Sequence, residues 1–216
     1  PAFNQVAADD LTGIVGWSSE PGHTSLLVGQ ANYETGNTNS PAVLQHELFF
    51  GNVETSTAVP GELSSVGPLA LADIDGDGRL ELFVGRRVIA GKYPAAASSG
   101  IYRQDGTKWV LDETNSKLLK EVGMVSGAVW SDLEGDGYPE LVLGCDWGPV
   151  RVFRNHAGHL EDWDAPVNWV GEPGNGRKRP EKLNQMTGWW NGVSAGDFDG
   201  DGRLDLVLGN WGLNNK

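Results

Sequence analysis

The sequence predicts an all-β fold made of repeated units, each about the length of one propeller blade. Three observations carry that prediction. The acidic loops Asp73-Ile-Asp-Gly-Asp-Gly-Arg-Leu-Glu81, Asp132-Leu-Glu-Gly-Asp-Gly-Tyr-Pro-Glu140 and Asp197-Phe-Asp-Gly-Asp-Gly-Arg-Leu-Asp205 start 59 and 65 residues apart. Each runs straight into a short apolar stretch ending in glycine: Leu82 to Gly85, Leu141 to Gly144, Leu206 to Gly209. Glycine is abundant, 31 of 216 residues, as a chain with many tight turns requires.

The loops point to a hard cation. Calcium takes six to eight oxygen ligands in a flexible shell. Acids at alternate positions of a tight loop turn their oxygens toward one centre. The first loop offers the carboxylates of Asp73, Asp75 and Asp77, the Arg79 carbonyl and Glu81. The second offers Asp132, Glu134, Asp136, the Tyr138 carbonyl and Glu140. The third offers Asp197, Asp199, Asp201, the Arg203 carbonyl and Asp205. A solvated Asp-Gly turn is the plainer alternative. It leaves four carboxylates repelling one another in each of three copies. An EF-hand requires a glutamate at position twelve and flanking helices. Position twelve is Val84, Leu143 or Leu208, and the stretch after each loop is β-rich. The loops therefore join two strands, and three Ca2+ sites are expected.

The stretch Leu71-Ala-Asp-Ile-Asp-Gly-Asp-Gly-Arg-Leu-Glu-Leu-Phe-Val-Gly85 and its two partners resemble the FG-GAP/VCBS repeat family. Gly209-Asn-Trp-Gly-Leu-Asn214 looks like the segment after such a loop in secreted bacterial members. The resemblance covers roughly residues 60 to 216 and is specific for the repeat, not for function. It implies a β-propeller of four-stranded antiparallel blades, with the cation loop between the first and second strands. The expected units are 1–60, 61–122, 123–187 and the start of a blade at 188–216. The first is degenerate: Ile14 to Ser18 and Ser25 to Gly29 supply two strands, but the loop Ser19 to Thr24 lacks the acids, so no calcium is expected there.

The rest of each unit reads as hairpins. Val43 to Phe50 alternates loosely, as a third strand would. Gly100 to Arg103 and Lys108 to Leu111 flank the turn Gln104 to Thr107. Val150 to Arg154 and His159 to Trp163 flank Asn155 to Gly158. Thr114 to Val122 suits a short helix or a joining loop, and Gly171 to Pro180 is a loop by composition. These strands amount to about three and a half blades. A closed propeller has four to eight, and seven of this length need roughly 420 residues. Another chain or further sequence is thus expected to complete the disc.

Twelve of the 29 acids lie in the three loops. The net charge of −13 is therefore largely metal chemistry, and nucleic-acid binding is disfavoured. The single cysteine, Cys145, has no internal partner and follows a buried-looking run. No run is apolar enough for membrane insertion. Sites of this kind suit millimolar extracellular calcium. With the resemblance, that points to a secreted, periplasmic or cell-surface protein.

Several motifs imitate chemistry. Gly192-Val-Ser-Ala-Gly196 matches a nucleophile elbow but opens directly into the third loop. Gly171 to Lys178 resembles a phosphate loop without its strand, helix or lysine. His156 and His159 flank a hairpin tip, and Arg177, Lys178, Arg179 and Lys182 form a small basic loop. Nine tryptophans stand out more. Trp147 and Trp211 follow the second strand of their units, and Trp189 and Trp190 precede a first strand. By the family's strand order these positions, with Arg86 and Arg87, lie on the face away from the loops. Aromatic faces beside charged groups suit a carbohydrate or protein ligand, whereas packing between blades is the simpler role. The favoured reading is a non-catalytic calcium propeller for adhesion or ligand binding. The alternatives are a carbohydrate-active enzyme of polysaccharide-lyase type, for which no constellation is legible, and a structural spacer.

Overall fold

The apolar runs after the first two acidic loops are the most deeply buried strands of the fold, whereas Val207 in the third run is 55% exposed. Leu82, Phe83 and Val84 are fully buried, as are Leu141, Val142 and Leu143. Such unbroken runs are what a strand covered on both faces requires. The computed structural model describes residues 7–170 and 179–211. The predicted loop at 171–178, with Arg177, Lys178 and the phosphate-loop likeness, and the end of the 209–214 stretch lie outside these residues. The fold is all-β, and the chain divides into two compact units, Pro1–Ala72 with Gly78–Val125, and Asp73–Asp77 with Ser126–Lys216.

The first unit holds two four-stranded antiparallel sheets. One runs β1 (Asp10–Glu20), β2 (His23–Ala31), β3 (Val43–Phe49) and β4 (Asn52–Val59) in chain order. The other runs β5 (Ser64–Ala72), β6 (Glu81–Ile89), β7 (Gly100–Asp105) and β8 (Lys108–Leu111). Leu27, Val43, Val59, Val66, Leu82 and Val84 share one core with Trp109. Trp17 meets Trp109 edge-on at 6.0 Å, and the Trp109 indole N–H donates to Gln45 Oε1 at 2.7 Å. Gly29 is required by this packing, because a Cβ there would stand 2.7 Å from Val66 Cγ1. The expected short helix is one turn, α1 (Glu113–Ser116), followed by a 3-10 turn at Lys117–Leu119. Asp112 caps α1 by accepting from the Thr114 and Asn115 amides.

The second unit carries β9 (Met124–Ser131), β10 (Glu140–Gly148), β11 (Arg151–His156), β12 (His159–Asp162), β13 (Gly188–Gly196) and β14 (Asp205–Asn210). Four follow the expected pattern, β9 beside β10, then β11 and β12. The hairpin tip forms as read: His156 pairs with His159 across Ala157 and Gly158, both at positive φ. One feature departs from separate four-stranded units. β10 also pairs with β13, through Asp146 with Trp189 and Gly148 with Gly188, giving a six-stranded sheet. β10 outruns β11, whose pairing begins at Leu143 with Arg151, so its last residues have backbone left to offer. Trp147, Trp189 and Trp190 consequently lie inside strands rather than beside them. Val142, Val150, Val152 and Trp190 form this unit's core.

Candidate functional site

All three acidic loops fold the same way. Their paired glycines sit at positive φ: Gly76 and Gly78, Gly135 and Gly137, Gly200 and Gly202. A side chain is strained in that region. The first aspartate anchors each turn. Asp73, Asp132 and Asp197 accept the amides of Gly76, Gly135 and Gly200, each at 2.7 Å, and the next amide at 3.2, 3.1 and 3.1 Å. The last acid closes the loop from its foot. Glu140 accepts the Leu133 amide at 2.8 Å, and Asp205 accepts that of Phe198 at 2.9 Å.

The acids converge unequally. Carboxylate oxygens of Asp197, Asp199 and Asp205 lie within 4.8 Å of one another, and so do those of Asp73, Asp75 and Glu81. Oxygen-only donors this close suit a hard divalent cation. The fifth-position acids stand outside both clusters. Asp201 is instead gripped by the Arg203 guanidinium at 2.7 and 3.1 Å, and these contacts hold its carboxyl below the usual range. The second loop forms no such cluster among the described residues. Its Glu134 reaches out to Arg154 at 3.0 Å, and Arg154 in turn lies 4.1 Å over the Trp163 ring. Glu140 is fully buried, and that burial raises its carboxyl above the ordinary value. The extra methylene of a glutamate in the third position, and an arginine on β11 to receive it, distinguish this loop.

The other candidate residues separate. Trp147, Trp189 and Trp211 stack in sequence, with centroids 4.9 and 5.0 Å apart and planes within 29°. Trp189 pairs opposite Asp146, and an irregularity between Asp146 and Gly148, where Trp147 takes a positive φ of 55°, brings Trp147 onto the same face; the Trp189 carbonyl accepts the Trp211 amide at 2.9 Å. Neighbouring strands are ~4.8 Å apart, which is stacking distance for their side chains. Trp147 and Trp211 remain 58% and 67% exposed. The stack occupies the strand ends remote from the loops, seven residues along β10 from Glu140, or roughly 23 Å. Trp190 points the other way into the core and donates to the Met186 carbonyl at 3.0 Å. Arg86 is only 2% exposed and pairs with Glu62 at 2.7 Å, while Arg87 is exposed. Sequence reasoning missed Glu62 and Arg154, because each partner comes from a distant stretch of chain.

The imitations of catalytic motifs resolve as structure. Ser194 sits inside β13 opposite Val207, with no strand-turn-helix around it. His156 faces Glu161 at 3.4 Å on an exposed hairpin. Cys145 is buried, which pushes its thiol up to about 12 and leaves it unreactive. No helix among the described residues is long and apolar enough to cross a membrane.

The model of the FG-GAP-like repeat matches residues 132–208, from the first acid of the second loop to the strand after the third. This stretch is similar to an FG-GAP-like repeat. Its limits enclose two acidic loops and all of β10 to β13. No curated protein matches the chain.

Proposed function

We propose that the chain is a calcium-braced propeller module that binds ligands without catalysing a reaction. Its sheets are the blades, in units at 1–60, 61–122, 123–187 and from 188. The reading is carried by one observation: the same glycine-kinked loop recurs three times, and two of its copies gather three carboxylates within 4.8 Å. Calcium held there ties the end of one strand to the start of the next and stabilises the fold by mass action. The first and third loops are the tighter sites, since Glu134 must leave Arg154 before the second can close. Extracellular or periplasmic calcium would keep such sites filled, which supports secretion or surface display. The ligand, a carbohydrate or an exposed protein segment, meets the exposed rings of Trp147 and Trp211.

Calorimetric titration of the calcium-stripped protein with calcium and with magnesium tests the metal. Saturable calcium binding, with magnesium weaker, is expected; no calcium heat and an unchanged Tm overturn it. A glycan array with wild-type and Trp211→Ala protein tests the ligand face.

A further inference from the structure

The first unit contains a cavity of about 290 Å³ apart from both the loops and the tryptophan stack. It lies at the lower edge of the ~300–1,000 Å³ of small-molecule sites, so it suits one small ligand. Its walls are rich in hydrogen-bond donors. Arg86 is buried, and its guanidinium is fixed by Glu62 at 2.7 Å, by the Ser64 carbonyl at 3.2 Å and by the Tyr102 hydroxyl. Ser99 Oγ accepts the Arg86 amide, and Ser98 Oγ accepts the Glu121 amide, each at 3.0 Å. Three hydroxyls, of Ser98, Ser99 and Tyr102, therefore accept from the protein and keep their own hydrogens to donate. Burial raises Tyr102 above the ordinary phenol value, which keeps its proton in place at neutral pH. At the rim Lys117 and Lys120 are exposed, and their ammonium groups have no ion-pair partner among the described residues.

Cations and donors concentrated on a chain of net charge −13 call for an anionic ligand. Two acids also line the cavity, Glu62 and Glu113. Glu62 already balances Arg86, which leaves two ammonium groups against one carboxylate. The acids add acceptors for ligand hydroxyls. Gly100 keeps the wall open, because a Cβ there would stand 3.1 Å from Leu111 Cδ1 and 3.2 Å from a Tyr102 ring carbon. We propose that this cavity binds a hydroxylated carboxylate of sugar-acid type, its carboxylate on the lysines and hydroxyls and its own hydroxyl groups on the glutamates.

The site stands on the first unit alone and does not depend on calcium at the loops. The test titrates the full chain with glucuronate, glucose and acetate, followed by calorimetry and by ligand-observed NMR. Glucuronate should bind at least about tenfold more tightly than glucose or acetate, a factor equivalent to ~1.4 kcal/mol. The double substitution Lys117→Gln and Lys120→Gln touches only exposed groups, and it should weaken glucuronate about tenfold with the Tm unchanged. Glucuronate that does not bind, that binds no better than glucose, or that is indifferent to the lysines overturns the proposal.

Discussion

Asp199→Asn should stabilise the calcium-free protein and remove part of its response to calcium. Asp199 shares the third loop's cluster with Asp197 and Asp205, with oxygens at most 4.8 Å apart. At that distance two like charges repel by about 0.9 kcal/mol in a water-like dielectric, which is appropriate to this exposed loop. Asparagine deletes two such repulsions, roughly 2 kcal/mol before screening, against one lost attraction to the Arg203 guanidinium, which leaves about 1 kcal/mol at low ionic strength. It keeps the carbonyl that accepts the Asp201 amide at 3.0 Å, so the turn itself survives. A gain of ~1 kcal/mol raises Tm by about 2–4 °C for a chain of this size. With calcium the order reverses. A filled site is worth about 2.7 kcal/mol at a hundredfold excess over Kd, and the variant forgoes that stabilisation at one site. The assay is a pair of thermal melts, in chelator and in excess calcium, for both proteins. A variant that melts lower in chelator, or that keeps the full calcium shift, rules out a repulsive, cation-holding cluster at this loop.

Arg154→Ala frees Glu134 for the second loop. The pair it breaks is half-exposed and worth about 0.2–1 kcal/mol, so calcium affinity there should rise by up to about fivefold, read by calorimetry. Asp112→Ala removes the cap of α1 and should cost about 0.5–2 kcal/mol at pH 7 in denaturant titrations. Burial raises the Asp112 carboxyl, but the Asn115 amide and the Arg103 guanidinium more than reverse this, so its folded value lies below the ordinary one. A depressed folded value means stability that is complete above the unfolded pKa, about 3.9, and lost as pH falls through the folded value; the gap between wild type and variant should narrow below about pH 4. Cys145 should resist alkylation at pH 8 until the protein unfolds, and labelling at the rate of a free thiol would contradict its burial.

Local chemistry was legible and non-local partnership was not. The loops, their glycines and the strands beside them depend on residues within a dozen positions of each other, so the acidic-loop pattern and the succession of strands, apart from β4, could be read in order. The hairpin tip at Ala157-Gly158 likewise follows from its own backbone preferences. The tryptophans show where that reach ends. Trp189 and Trp190 look alike in sequence, yet adjacent residues of a strand face opposite ways. Which of them joins the stack and which enters the core is set by the pairing of β13 with β10, two strands forty residues apart in the chain.

An all-β repeat with three acidic, strand-joining loops is written into the order of the residues, because spacing and turn chemistry are local properties. Which loops gather their acids depends on the packed fold. Arg154 arrives from β11 to draw Glu134 away, and no neighbouring residue announces it. Arg86 met the same fate: an apparently exposed arginine is buried because Glu62 reaches it from before β5. Charge pairs form wherever the folded backbone brings opposite charges within a few ångströms, and that distance exists only once the sheets have packed.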